Sequence, residues 1–234
     1  MNDNKLMNRA ADNIRILAAS MVEKANSGHP GGAMGGADFV NVLFSEFLVY
    51  DPENPRWEGR DRFFLDPGHM SPMLYSTLAL TGKFTLDELK EFRQWGSPTP
   101  GHPEVDIMRG IENTSGPLGQ GHTFAVGAAI AAKFLKARFD EVMNQTIYAY
   151  ISDGGIQEEI SQGSGRIAGA LGLDNLIMFY DSNDIQLSTE TKDVTVEDTA
   201  MKYEDGTYLV STVMILTKSV RQSKKHKLKK NVRH

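Results

Sequence analysis

Two short segments carry polar residues that could hold a metal ion together with phosphate. The segment "ISDGG" offers the carboxylate of Asp153, and the segment "FYDSND" offers the amide oxygen of Asn183. Each follows an apolar, strand-like run, and the carboxyl ends of parallel strands lie at one edge of a sheet. One carboxylate, one amide oxygen and one backbone carbonyl leave positions free around Mg²⁺ for phosphate oxygens and water. The pair therefore predicts a clamp for a metal–diphosphate group, whereas an Asp-Gly pair alone is typical of a plain turn.

Glycines beside these residues would let a ligand approach the backbone. Gly154 and Gly155 leave room for a phosphate, and the start of the following helix adds favourable partial charge. Four further glycine-rich clusters adjoin helical patterns, at residues 27–36, 66–72, 96–104 and 114–122. Gly-His pairs in three of them contain His29, His69 and His102. Imidazoles can bind hydroxyls and move protons near neutral pH, but each of these, like His122, could also be a loop or capping histidine.

The surrounding pattern predicts an α/β fold. Residues 146–151 and 176–180 are short, apolar and rich in aromatics, as expected of strands buried in a parallel sheet. Between them, residues 156–173 are predicted to form the crossover helix of a βαβ unit. Apolar residues with helical period predict an amphipathic helix near the N-terminus, and a helix rich in small residues follows Gly121. Residues 87–95 are predicted to form an ordinary helix whose charges are solvated.

Composition excludes several classes of protein. The chain has 234 residues, 40% of them hydrophobic, which is enough to bury a sizeable core in one large domain. It has no cysteine, which excludes disulfides, thiolate metal sites and cysteine nucleophiles and fits a reducing compartment. No window approaches the roughly 20 apolar residues that span a bilayer, and no signal peptide pattern is present. We therefore expect a cytoplasmic protein without membrane contact.

Five segments, in chain order, resemble the diphosphate-binding domain of the transketolase family. They are "SGHPGGAMG", "DRFFLDPGHMSPMLYSTLALTG", "GSPTPGHPE", "GPLGQG" and "SDGGIQEE…LIMFYDSNDI". The last one contains the Asp-Gly pair and the later Asn that are typical of the thiamine diphosphate fingerprint. The resemblance covers residues 1–204, and it implies a doubly wound, mostly parallel sheet with helices on both faces.

The resemblance also implies a role for each residue of the site. The metal, Mg²⁺ or another divalent cation such as Ca²⁺, is expected at the side chains of Asp153 and Asn183 and the backbone carbonyl of Ile185. His29 and His102 are expected to face the sugar-phosphate substrate as catalytic residues. The residues expected to bind thiamine diphosphate are His69, Gly116, Pro117, Leu118, Gly154, Glu158 and Asn183. Glu158 matches an acidic position that the family uses at a subunit contact.

The family reaction transfers a two-carbon ketol unit from a ketose phosphate to an aldose phosphate, with the cofactor as electron sink. In the family, the glutamate that activates the cofactor belongs to a second, pyrimidine-binding domain of the partner subunit. The resemblance therefore implies that these 234 residues alone lack substantial activity. A homodimer of a longer form, or a separate chain that carries the remaining domains, is the expected partner.

The composition changes at residue 205. Residues 205–234 carry one acid and eight Lys or Arg, a net charge of +7, whereas residues 1–204 carry −12. The resemblance stops there, where family members continue with a Trp-containing strand. One allowed set of codons for "DGTYLVSTVMILTKSVR" encodes "WNVLSINGNDPDEIR" when it is read two bases later, with a strand, a turn and a helix start. Our hypothesis is that a frameshift after Glu204 truncates the domain and adds a basic, poorly ordered tail, so nucleic acid is not an expected partner.

Two other interpretations stay open at this point. The chain could be the corresponding half of a related thiamine diphosphate enzyme such as 1-deoxyxylulose-5-phosphate synthase, although "SGHPGGAMG" and "PGHPE" favour transketolase. It could also be a non-catalytic module whose basic tail binds nucleic acid, with an affinity that depends strongly on salt.

Overall fold

The structure of the chain, a computed structural model, describes residues 3–186, 189–203 and 208–211. Its centre is a parallel sheet of four strands, which are β1 (Arg62–Leu65), β2 (Ile147–Ser152), β3 (Leu176–Asp181) and β6 (Tyr208–Ser211). They lie side by side in that order, each parallel to its neighbour. A short antiparallel pair, β4 (Ile185–Gln186) with β5 (Thr189–Glu190), follows β3.

Helices cover both faces of the sheet, as the sequence predicted. They are α1 (Asn4–Ala25), α2 (Pro30–Gly35), α3 (Ala37–Val42), α4 (Ser71–Leu80), α5 (Leu86–Lys90), α6 (Gln120–Phe139), α7 (Asp153–Gln157), α8 (Glu159–Ala170) and α9 (Thr199–Lys202). Within the described residues, none of them combines the length and the apolar character needed to cross a membrane.

The alternation of side chains along the strands divides the core into two layers. On β2, Tyr148 and Tyr150 join a cluster with α1 to α4, whereas Ala149 and Ile151 join a second cluster with α6 and α8. All four are buried, which is why this strand is a continuous apolar run. The helical period near the N-terminus is confirmed, because α1 buries one stripe formed by Ala11, Ile14, Ala18 and Met21.

The predicted crossover helix is wrong in its start and in its continuity. Helix α7 begins at Asp153, directly after β2, and the chain leaves helical geometry at Glu158, where φ is −63° and ψ is 133°. Glu158 is the residue that precedes α8, and its carbonyl accepts a hydrogen bond from the backbone N–H of Gln162 at 3.0 Å. The break separates a short helix at the edge of the sheet from the longer helix that packs against α6.

The segment 87–95 is also not one helix. Helix α5 ends at Lys90, and Arg93 adopts left-handed backbone geometry with φ 62°. The backbone N–H of Arg93 donates to the carbonyl of Thr99 at 3.0 Å, which turns the chain back toward the sheet.

Strand β6 lies within the segment that we expected to be a poorly ordered tail. Its four residues pair with Met178–Asp181 of β3 at one edge of the sheet. Residues 204–207 and 212–234 lie outside the described residues, so the domain boundary after residue 204 stays a prediction.

Candidate functional site

The structure brings Asp153 and Asn183 together at the carboxyl ends of β2 and β3. The register of the sheet places Ser152 beside Asp181, so Asp153 follows the last paired residue of β2. One carboxylate oxygen of Asp153 accepts a hydrogen bond from the hydroxyl of Tyr180, and the other accepts one from the backbone N–H of Asn183 at 3.2 Å. Thirty positions apart in sequence, the two residues are direct neighbours in the fold.

Two buried carboxylates, those of the predicted ligand Asp153 and of Asp181, lie at this edge of the sheet. Asp153 and Asp181 are 2% and 1% exposed, and burial raises the pKa of each carboxyl above its ordinary value. Within the described part of the chain, their hydrogen bonds come from neutral donors: tyrosine hydroxyls, the backbone and the Asn183 amide. Among the residues that the structure describes, Oδ1 of Asp181 is buried and has no hydrogen-bond partner. A divalent cation would compensate this charge, so the donor set fits Mg²⁺.

Ile185 lies in the same loop as Asn183. Its backbone N–H donates to Oδ1 of Asn183 at 3.1 Å, and Asp184 between them has left-handed geometry with φ 63°. Among the described residues, no three or more His, Cys, Asp or Glu side chains are grouped to hold a metal. The predicted ligand set does not require such a group, because it contains one carboxylate, one amide oxygen and one backbone carbonyl.

Three of the four histidines in the glycine-rich clusters also come together. The rings of His29 and His69 meet edge to face, with their centroids 4.9 Å apart. A Cβ added to Gly68 would lie 3.0 Å from Cδ2 of His102, which brings that ring close to the same loop. Burial, with help from His29, His102 and Arg93, lowers the pKa of His69 to about 4, and burial also lowers the pKa of His102. His69 is therefore a neutral imidazole at pH 7.

The segment Gly116–Leu118 completes the group of loops. A Cβ on Gly68 would lie 3.1 Å from the backbone nitrogen of Gly116, and a Cβ on Gly154 would lie 3.1 Å from Cδ1 of Leu118. Neither glycine has room for a bulky side chain, because Gly68 faces the backbone of Gly116 and Gly154 faces the side chain of Leu118. The residues predicted in the glycine-rich clusters and after β2 and β3 thus lie around one region at the carboxyl edge of the sheet.

Glu158 lies at the rim of this region. The residue is exposed. A Cβ added to Gly119, the residue before α6, would lie 2.8 Å from the Cβ of Glu158. Gly119 has a φ of 84°. The apolar side chains nearby, Phe124 and Ile160, are 49% and 47% exposed. Glu158 is therefore placed where a second chain could reach it.

His122 is a core residue. It is fully buried, and its Nδ1 lies 2.7 Å from the hydroxyl of Ser161. Because Ser161 belongs to α8, this contact places the ring between α6 and α8. Of the two interpretations that the sequence left open, the structure favours the structural one.

Burial of His122 predicts a pH dependence of folding stability. Burial lowers the pKa of this ring from 6.5 to about 4. Between these pH values the unfolded chain binds a proton that the folded chain does not, so stability is complete above pH 6.5 and falls as the pH drops to 4. We expect this group to remove about 1–3 kcal/mol from the free energy of unfolding at the acid end of that window. Urea unfolding at several pH values should show that the free energy of unfolding depends less on pH between about 4 and 6.5 in His122→Gln than in the wild-type chain. An equal pH dependence in the two proteins would contradict this assignment.

Two residues near the site were not singled out by the sequence. Nη1 of Arg93 donates to the hydroxyl of Ser27 at 2.7 Å, and its Nε would lie 2.8 Å from a Cβ on Gly101, next to His102. Asp66 is fully buried and follows β1 directly. The acid that ends the apolar run "RFFLD" was the available signal for Asp66, and no local signal marks Arg93.

Comparison with known proteins agrees with this arrangement. Residues 6–229 match the family model described as transketolase, thiamine diphosphate binding domain, a range that crosses the boundary predicted after residue 204. The chain is 48% identical over 199 residues to transketolase 2 of Escherichia coli, covering 83% of this chain and 30% of that protein. It is 45% identical over 208 residues to the chloroplastic transketolase-1 of Arabidopsis thaliana, covering 86% of this chain and 28% of that protein.

Solved structures give the same result. A transketolase from Campylobacter jejuni superposes with a TM-score of 0.87 and 39% identity, over 96% of this chain and 36% of that one. A transketolase from Leishmania mexicana superposes with a TM-score of 0.82 and 41% identity, over 85% of this chain and 30% of that one. The chain spans about 30% of the length of the curated relatives that it matches. It belongs to the transketolase family and contains the thiamine diphosphate binding domain of that family.

Proposed function

We propose that this domain binds the diphosphate of thiamine diphosphate through a divalent cation, and that it serves the transfer of two-carbon ketol units between sugar phosphates. The single observation that carries the proposal is the direct contact between Asp153 and Asn183 at the ends of adjacent parallel strands. The cation, Mg²⁺ or Ca²⁺, is assigned to these two side chains and to the carbonyl of Ile185.

When bound, thiamine diphosphate supplies a carbon nucleophile and an electron sink for breaking a carbon–carbon bond. The chain's own residues bind this cofactor and orient it. Gly154 has no side chain of its own. Apart from its chain neighbours and the backbone of its own helix, only the side chain of Leu118 among the described residues lies within 4 Å of a Cβ added there, which suits close approach of a cofactor. His69, kept neutral by burial, can donate one hydrogen bond and accept another near the diphosphate.

His29 and His102 are assigned to the substrate. Their rings lie beside His69 in the same group of loops, which supports a role in binding sugar hydroxyls and in moving protons at ring nitrogens. Because the chain spans about 30% of its curated relatives, the complete reaction is proposed for an assembly that also contains the rest of such an enzyme.

We assign the partner contact to the exposed side of α6 and α8, next to Glu158. Four apolar side chains there are between 47% and 59% exposed: Phe124, Phe134, Ile160 and Ile167. A hydrogen bond of 2.9 Å between the hydroxyls of Thr123 and Ser164 links the two helices. A second copy, or a chain with the remaining domains, would bury it. A cytoplasmic location is proposed from the cysteine-free composition.

The test is a calorimetric titration of the chain with thiamine diphosphate, with and without Mg²⁺. We expect saturable binding of one cofactor per chain that disappears when EDTA removes the cation. Thiamine, which lacks the diphosphate, is the matched control and should not gain affinity from Mg²⁺. Cofactor binding that is equally tight in EDTA would contradict the proposed clamp.

The basic segment after residue 204 is proposed to have no role in this function. Its charge of +7 against −12 for residues 1–204 supports an origin in another reading frame. The nucleotide sequence through and beyond codon 205 decides this point. An open continuation in the shifted frame would support the hypothesis, and its absence would refute it.

A further inference from the structure

Asp66 joins three parts of the candidate site that are distant in sequence. Its backbone N–H donates to the carbonyl of Tyr150 at 3.0 Å, which fixes it to the sheet. Its Oδ1 accepts from the backbone N–H of Gly119 at 3.0 Å, and its Oδ2 accepts from the backbone N–H of His122 at 3.2 Å. The carboxylate thus accepts hydrogen bonds from the first turn of α6, where backbone N–H groups have no partner within the helix.

Two glycines allow the helices to press against this side chain. A Cβ on Gly121 would lie 2.5 Å from Cα of Asp66, and a Cβ on Gly155 would collide with Oδ1 of the same residue. Helix α6 and helix α7 therefore both start against Asp66. Asp153, the predicted metal ligand, is the first residue of α7.

The loops that Asp66 connects are the ones that carry the predicted cofactor contacts. His69 follows three residues later, the segment Gly116–Leu118 ends one residue before the Gly119 amide, and Gly154 is next to the glycine that touches the carboxylate. Gly119 has left-handed geometry with φ 84°, and it joins Gly116–Leu118 to the start of α6. The direction in which this segment enters the helix therefore depends on how the Gly119 amide is held.

We propose that Asp66 is a positioning residue for the cofactor: its carboxylate holds the start of α6, and with it Gly116–Leu118, at the distance from Gly154 that thiamine diphosphate requires. This inference rests on the proposed function. It adds a residue that does not touch the cofactor and acts through the backbone of the segment that does.

A second aspartate provides a matched control. Asp61 is 7% exposed and lies at the opposite end of β1. Its Oδ1 accepts from the backbone N–H of Thr146 at 2.7 Å, and its Oδ2 accepts from the backbone N–H of Val49 at 3.0 Å. Asp61 thus makes the same type of contact as Asp66 on loops that carry none of the predicted site residues.

The experiment compares Asp66→Asn with Asp61→Asn. In each variant the new NH₂ group faces one of the two backbone N–H groups, so both should lose folding stability. Only Asp66→Asn should lose affinity for thiamine diphosphate with Mg²⁺, by at least about tenfold, equivalent to about 1.4 kcal/mol. Amide hydrogen exchange should be faster at Leu118, Gly119 and His122 in Asp66→Asn alone.

The outcomes distinguish a failure of the positioning role of Asp66 from a failure of the proposed function. Unchanged cofactor affinity in Asp66→Asn, or an equal loss in Asp61→Asn, would overturn the positioning role alone. Absence of cofactor binding by the wild-type chain would overturn the proposed function and this role with it. If Asp66→Asn does not fold, Asp66→Ser, which is smaller and keeps an acceptor, is compared with Asp61→Ser under the same criteria.

Discussion

Replacing Asp153 with alanine is expected to abolish the Mg²⁺-dependent binding of thiamine diphosphate. The predicted ligand set contains no other carboxylate, and an amide oxygen with a carbonyl cannot replace its charge. We expect the affinity measured by calorimetry to fall by a factor of at least about one hundred, since removal of mere outer-shell partners of metal sites already costs 10–100-fold. Folding should persist, because the hydroxyl of Tyr180 keeps hydrogen bonds with the side chains of Ser182 and Thr199 when Asp153 is removed.

The matched control is Asp184→Asn in the same loop. Asp184 is exposed and has φ 63°, a geometry that asparagine tolerates well, so this variant removes a nearby negative charge without straining the loop. It should bind the metal and cofactor with nearly wild-type affinity. An Asp153→Ala protein that is folded and binds as tightly as Asp184→Asn would show that the metal site is elsewhere.

Gly121→Ala is expected to have the largest effect on stability. Its Cβ would lie 2.5 Å from Cα and 2.9 Å from the backbone nitrogen of Asp66. That backbone is hydrogen-bonded to β2 through the carbonyl of Tyr150, so it cannot move aside as a flexible side chain could. Overpacking of this kind costs about 3 kcal/mol or more when the contact is with backbone. Chemical denaturation should show this loss as a lower denaturant concentration at the unfolding midpoint, with an unchanged dependence of the unfolding free energy on denaturant concentration.

Gly127→Ala tests the same substitution six residues further along α6. Apart from its chain neighbours and the backbone of its own helix, no atom of the described residues lies within 4 Å of its added Cβ, and the position is exposed. Alanine has the better helix propensity, so this variant should gain about 0.5–1 kcal/mol. Equal and small effects at the two positions would contradict the close contact between α6 and Asp66.

The pairing of Asp153 with Asn183 could be predicted because it follows from a general rule. Two apolar runs with a crossover between them form adjacent parallel strands, and their carboxyl ends must meet at one edge. The predicted strands 146–151 and 176–180 agree with β2 and β3 to within one residue at each end. Local periodicity was also sufficient for α1 and for most of α6.

The acid after the apolar run of β1 marks Asp66 in the sequence, but its role could not be predicted, because that role depends on contacts with residues more than fifty positions away. Its partners are backbone amides, which leave no trace in residue type. The break at Glu158 has a similar cause: the extended geometry occurs where Gly119 approaches from another part of the chain, and the sequence around Glu158 is compatible with a continuous helix. The position of Arg93 could not be predicted, because a positive φ is unusual for a residue with a long side chain.

The most direct test of the central claim is the position of the metal in a crystal of the chain grown with thiamine diphosphate and Mn²⁺, which replaces Mg²⁺ and scatters anomalously. We expect one anomalous peak about 2.1 Å from a carboxylate oxygen of Asp153, Oδ1 of Asn183 and the carbonyl oxygen of Ile185, with diphosphate oxygens and water at the remaining positions. A crystal that contains bound cofactor but has its anomalous peak away from Asp153 and Asn183 would contradict the central claim.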